Sequence, residues 1–319
     1  MPEILDYDFM RRALLAALLI GLTAPSVGVY IVQRRLALIG DGVGHVALAG
    51  VAVGVLTTGR PVLTALVASV AGAVAVELVR ARGRTSGDVA LAVLFYGGIA
   101  AGVVLISQAP SGTPANLNAF LFGAITTTNR SDLVVFALLA AVVLTVTIGL
   151  APRLFAVNND EEFARAAGLR VLGLNLVLAV MVASTVVISM RVVGLLLVSA
   201  LMVVPVATAQ LLVGSFRGTL VLSMGIGLAV SLGGVTTSFY ADTPSGGTIV
   251  LLAVGLFVVA ATLGSLRRAL RREAHDEAED HLHVHGPGCG HEPVQHEDHV
   301  DYLHHGHRHA AHGAHYDEH

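Results

Sequence analysis

The chain has 319 residues, 55% of them hydrophobic and only 13% charged, against about 25% charged in a soluble domain, and a mean hydropathy of +0.76. This excludes an ordinary soluble globular domain, and apolar runs of roughly 17–22 residues without alternation exclude a membrane β-barrel. The net charge of −3 conceals two halves: 18 Arg and 11 acidic residues up to Arg272, then one Arg and 11 acidic residues from Glu273.

Nine apolar segments follow one another at 10–32, 43–59, 61–79, 88–107, 131–150, 171–189, 193–213, 218–238 and 246–265. Lipid forces each to satisfy its own backbone, so the expectation is an all-α polytopic membrane protein of eight or nine transmembrane helices. The first run reads as a retained span, not a cleavable signal. Pro25 and Pro205 fall inside spans and predict a kink or a cavity-facing irregularity at each. Residues 108–114 form a turn-rich loop, and 116–123 are apolar but too short to span, which suits an interfacial or re-entrant helix. With nine spans, 13 arginines (34, 35, 80–84, 153–170, 217 and 267–272) fall on one side and five on the other. The richer side is then cytoplasmic, with the N-terminus outside and the C-terminus inside. Arg11 and Arg12 run against this pattern. The expected division is a membrane domain at 1–272, containing a short cytoplasmic helix at 158–170, and a tail at 273–319.

Only one of the 15 histidines, His45, lies in the membrane domain. It sits in IGDGVGHV (39–46), four residues after Asp41, so a helix puts carboxylate and imidazole on one face. That pair can bind Zn²⁺ or another borderline divalent ion. Gly40, Gly42 and Gly44 leave room for local unwinding that would offer carbonyls to a cation. The other reading has Asp41 capping the helix at the membrane edge and His45 hydrogen-bonded in the bundle; residue pattern alone leaves both open. Two ligands do not complete a zinc shell, which suits a site that must release its ion. Glu77 reads as a local ion pair with Arg80. Asn175, Thr185, Ser189 and Gln210 are candidate packing or pore polar groups.

The segment NNDEEFARAAG (158–168) is polar. Asn159 or Asp160 can cap a short helix there, Glu161 and Glu162 suit its first turn, and Gly168 ends it. Phe163, Ala166 and Ala167 share a small apolar face, fit either for docking a partner or for an ordinary connection.

The tail mixes histidine with carboxylates. His281, His283, His285, Cys289, His291, His304, His305, His307 and His309 are candidate metal ligands, with His296, His299, His312, His315 and His319 among them. Neutral imidazoles bind Zn²⁺, Ni²⁺ and Cu²⁺. The tract has little to bury and is expected to be disordered, holding several exchanging ions. The chain contains no Lys, so it carries no Walker A loop and cannot hydrolyse nucleotide by that device. Neither H-E-x-x-H nor a nucleophile elbow is present, and no enzymatic activity is expected.

Four stretches carry a resemblance: PSVGVYIVQRR (25–35) running into GDGVGH (40–45), DEEFARAAG (160–168), RVVGLLLVSALMVVPVAT (191–208) and DTPSGGTI (242–249). In this order over residues 10–265 the sequence resembles the membrane permeases of zinc, manganese and iron ABC importers, a family that includes the high-affinity bacterial zinc permease. The resemblance implies a fold like that of the vitamin B12 and siderophore permeases, with fewer helices. It implies a homodimer in the bacterial inner membrane, a separate cytoplasmic ABC ATPase dimer docked through 160–168, and an extracytoplasmic binding protein that delivers the metal. It implies no permanently bound cofactor and no nucleic-acid partner. Asp41 and His45 match the family's Asp and His on the translocation path, although Gly44 stands where Ser or Ala is frequent. The histidine-rich tail lies outside the resemblance. It favours Zn²⁺ as the transported ion, with Mn²⁺ or Fe²⁺ as the alternative. A secondary cation transporter working without ATP, or a metal sensor built on the tail, are the readings from other classes.

Overall fold

The computed structural model describes residues 2–83, 87–108, 123, 130–190, 193–279, 290–296, 299–304, 307–312 and 315–318. It separates into a unit at 1–261 and a unit at 262–319. The short segment expected at 116–123 lies outside the described residues, except for Gly123.

The first unit is helical. In chain order its helices are α1 (Asp8–Gln33), α2 (Ile39–Val53), α3 (Pro61–Ala81), α4 (Gly87–Ser107), α5 (Arg130–Gly149), α6 (Ala151–Asn159), α7 (Glu161–Ala166), α8 (Val171–Ser189), α9 (Val198–Leu212), α10 (Phe216–Ala241) and α11 (Ser245–Glu279), the last continuing into the second unit. A π-helical turn at Gly54–Thr58 extends α2, and Gly59 closes it at φ +65°. Among the described residues, eight helices are long and apolar enough to cross a membrane.

At α1 the sequence shows why the bundle assembles. Ala13, Ala16, Ala17, Ile20, Ala24 and Val27 are buried along it. Small side chains at helical spacing let neighbouring backbones come close, which is how helices associate in lipid. Accordingly α1 packs against α5, α8, α9 and α10. Pro25 lies inside α1 without ending it. Its ring denies Gly21 the usual hydrogen-bond donor, and α10 brings Gly227 against both the Gly21 carbonyl and the proline ring. Pro205 likewise sits buried within α9.

Ring contacts mark the two ends of the bundle. Tyr7 and Phe9, at the start of α1, meet Phe239 near the end of α10, with centroids 5.9 and 6.3 Å away. At the other end, Phe216 meets Tyr30 at 5.6 Å and Phe155 at 4.7 Å. The chain thus returns between the end of α8 and the start of α10. It does so through the 15-residue α9 and the 3₁₀ turn Leu195–Leu197 before it. The ends therefore alternate as the arginine pattern requires, with one pass shorter than its 193–213 apolar segment. Helix α6 is a further difference: it fills a connection in which only the following short helix was expected.

The second unit carries four short strands, β1 (Glu292–His296), β2 (His299–His304), β3 (His307–His312) and β4 (His315–Glu318), paired antiparallel in that order. A tail without regular structure was expected because it has little to bury. Backbone pairing needs no core, and these segments are spaced for two-residue connections. The register sets His296 opposite His299, His304 opposite His307 and His312 opposite His315.

One buried contact tests the packing at this second end. The Tyr30 hydroxyl donates to the Thr147 carbonyl at 2.7 Å, joining α1 to α5. Tyr30→Phe is expected to cost about 1 kcal/mol, read as a lower thermal midpoint in detergent; an unchanged midpoint would show that the contact contributes nothing.

Candidate functional site

Asp41 lies in the first turn of α2 and His45 one turn further on, both half-buried. The helix is regular from Ile39, so the unwinding expected at Gly40, Gly42 and Gly44 does not occur. The glycines serve close packing instead. A Cβ on Gly40 would lie 2.6 Å from Ser199 Oγ of α9, and one on Gly42 would lie 2.8 Å from Leu91 of α4. Ser199 Oγ is itself buried without a hydrogen-bond partner among the described residues.

Helix α4 supplies two residues that sequence reasoning passed over. Phe95 meets the His45 ring edge-on, centroids 4.6 Å apart and planes at 81°. One turn later, a Cβ on Gly98 would stand 2.7 Å from Val46 N and 2.8 Å from the His45 carbonyl carbon. Only hydrogen fits there, and this closeness seats Phe95 on the imidazole. The sole sequence signal was the Gly-Gly pair in an otherwise apolar run. His45 Nδ1 is enclosed with no hydrogen-bond partner among the described residues. The alternative of a histidine hydrogen-bonded within the bundle therefore lacks a bond at that atom. Among the described residues, no group of three or more His, Cys, Asp or Glu side chains is placed to hold a metal ion.

A second polar site forms where α1, α3, α7 and α8 meet. Asp160 caps α7, its Oδ1 accepting from Phe163 N at 2.9 Å. Gly168, at φ +82°, follows the helix. Ala164 is buried with Val157 and Val171, and Glu161, one turn earlier, also turns inward. Its Oε1 accepts from Asn175 Nδ2 at 2.8 Å and Arg34 Nη2 at 3.1 Å, with Arg80 Nη2 at 3.5 Å. Glu77 holds Arg80 through both carboxylate oxygens, at 2.9 and 3.1 Å. The expected Glu77–Arg80 pair is therefore part of a larger cluster, and Asn175 belongs to that cluster. Burial pulls the Arg34 guanidinium below its usual pKa, and Arg80 pulls the same way; Glu77 and Glu161 oppose both. Phe163 is 66% exposed, and Glu162, Ala166 and Ala167 are exposed beside it. The short helix thus has an anchored face and a free one.

Of the other candidates, Thr185 donates to the Met181 carbonyl at 2.8 Å within its own helix. Ser189 Oγ is buried without a hydrogen-bond partner among the described residues, and Gln210 is exposed. In the tail, His281, His283, His285, Cys289 and His305 lie outside the described residues. His291 precedes β1, His304 ends β2, and His307 and His309 lie in β3. The register sets His309 beside Tyr302.

A many-helix bundle of membrane-crossing length, with an outward-facing short helix between two crossings, defines a multi-pass membrane permease. The chain belongs to the ABC 3 transport family, whose model matches residues 6–264, and as a permease of that family it is not an enzyme. Among its relatives is the manganese transport system membrane protein MntC of Halalkalibacterium halodurans, 31% identical and covering 81% of this chain and 88% of the relative. Another is a probable iron transport system membrane protein of Haemophilus influenzae, 29% identical over 83% of this chain and 97% of the relative. In structure the chain is similar to PsaBC from Streptococcus pneumoniae, solved with a Fab, at 27% identity and a TM-score of 0.72, covering 81% of this chain and 94% of that one.

The two adjacent glycines of α4 test the close approach at His45. Gly98→Val is expected to force α4 away from α2 and lower the thermal midpoint in detergent, with overpacking costing about 1–3 kcal/mol. Gly97→Val, where a side chain meets open space, is expected to leave the midpoint unchanged. Equal effects would contradict the packing described.

Proposed function

We propose that the protein is the inner-membrane permease subunit of an ATP-driven divalent metal importer, with Zn²⁺ as its cargo. His45 carries this reading: an imidazole on a spanning helix, one turn from a carboxylate, with Nδ1 enclosed and unpartnered. An ionisable pair in a membrane helix is costly to maintain without a task, and a borderline cation is the ligand that both groups share. The pairing is deliberately sparse in this account, since a cation held by a full protein shell leaves slowly.

In the proposed cycle a metal-loaded binding protein docks outside and the cation reaches Asp41 and His45. A cytoplasmic ABC ATPase docks on the exposed face of α7 at Glu162, Phe163 and Ala166. Its nucleotide cycle then switches the permease between outward and inward access. The permease works as a homodimer and breaks no covalent bond. The arginine-rich end, which carries Arg34, Arg80 and α7, faces the cytoplasm, and the tail with it. The tail captures released ions; the recurring His296–His299, His304–His307 and His312–His315 register supports this by setting imidazole-bearing positions opposite one another. Manganese is the second reading, favoured by the name of the MntC relative.

Asp41→Asn and His45→Ala are each expected to lower uptake by about tenfold or more while the protein still assembles; unchanged uptake in both would remove the site. Metal content of cells lacking the gene, followed by rescue with each metal in turn, separates the ions. Rescue by zinc alone supports the zinc reading, and rescue by manganese alone replaces it. Deleting residues 275–319 is expected to leave uptake in place and alter its response to excess metal; complete loss of uptake would contradict the tail's accessory role.

A further inference from the structure

We infer that Glu161 is the latch that transmits movement of the short helix α7 to the spanning helices. The inference rests on reading α7 as the ATPase-docking helix and assigns the residue that makes docking mechanically effective. The observation is that one carboxylate oxygen serves three partners on three other segments: Arg34 just beyond α1, Arg80 on α3 and Asn175 on α8. The six-residue α7 divides its residues between two tasks. Phe163, Ala166 and Ala167 are exposed, whereas Ala164 and Glu161, one turn apart, face the bundle.

The two inward contacts differ in what they can transmit. Ala164 against Val157 and Val171 is an apolar seat, and apolar contact is non-directional. Charge-assisted hydrogen bonds are directional and short. The Arg34 side chain is only 8% exposed. If α7 moved without α1, that cation would lose its carboxylate in a poorly solvated place, which is strongly unfavourable. Arg80 is already fixed to its own helix by the two-oxygen grip of Glu77, and its 3.5 Å ion pair with Glu161 adds a weaker contact between α7 and α3. Helices α3 and α8 both pack along α2, which carries Asp41 and His45. A displacement of α7 therefore has a continuous route to the metal pair, and its first joint is Glu161.

The test uses the whole importer in liposomes: permease, ATPase and binding protein, with the ratio of metal imported to ATP hydrolysed as the readout. Glu161→Gln is expected to lower that ratio by at least about fivefold, the lower range of measured couplings between sites, with the ATPase still co-purifying. Arg34→Gln is expected to lower it too, and the double variant no further than the worse single, because both remove one joint. An unchanged ratio in Glu161→Gln, loss of the ATPase from that variant, or strictly additive losses would each overturn the inference. If the Glu161→Gln permease itself fails to fold, Asn175→Leu carries the test, since it removes the neutral partner and leaves the charges paired; a ratio equal to wild type then overturns the proposal. Phe163→Asp separates the underlying reading. It is expected to release the ATPase, and retention of the ATPase there would reject α7 as the docking helix whatever Glu161 does.

Discussion

Hydrocarbon offers no hydrogen bonds, and from that constraint the rest of this molecule follows. A backbone group in a crossing must be bound within its own helix or by a neighbour, and at Pro25, which leaves the Gly21 carbonyl without its usual donor, α10 packs closely through Gly227. Ionisable side chains are few within the crossings and their positions are telling. Four gather at one end of the bundle, where Arg34, Glu77, Arg80 and Glu161 pair and Glu161 also accepts from Asn175. Others occur along α2, where Asp41 and His45 stand a turn apart without such a network. The first arrangement pairs two cations with two carboxylates and is suited to holding parts together. The second is open at His45 Nδ1 and suited to a passing cation.

Much of this was legible in the residues. Hydropathy gave the crossings because apolar length maps directly onto bilayer thickness, and the arginine alternation agreed with the ends that the ring contacts mark. The residues left Asn159 or Asp160 as the cap of α7, and Asp160 takes it, accepting from Phe163 N. What could not be read was long-range placement. Glu161 and Glu162 are adjacent carboxylates with the same local propensity, yet one turns into the bundle and the other to the exposed face. That difference is set by Arg34 and Asn175, which lie 127 and 14 residues away in sequence. The glycines around His45 were misread for a related reason. A glycine in a helix permits either unwinding or close approach, and only the arrival of α4 and α9 decides between them. Phe95 had no signal of its own, being one of two adjacent aromatics in an apolar helix.

The two polar sites belong to one mechanical account. The chain has no Lys and so no Walker A loop, which agrees with the proposal that the work is supplied by a separate ATPase. An exposed face on α7, backed by a charged joint, is a place where work can enter. A sparse Asp–His pair on a helix packed against that joint's own helices is a place where it can act. Family membership supports this division of labour between a membrane path and a separate motor.

The most direct measurement is vectorial metal transport by the purified chain in sealed liposomes, with and without an ATPase partner. The account predicts that metal accumulates against its gradient only when the ATPase, ATP and the binding protein are all present. Uphill accumulation by the chain alone, driven by no nucleotide, would contradict it.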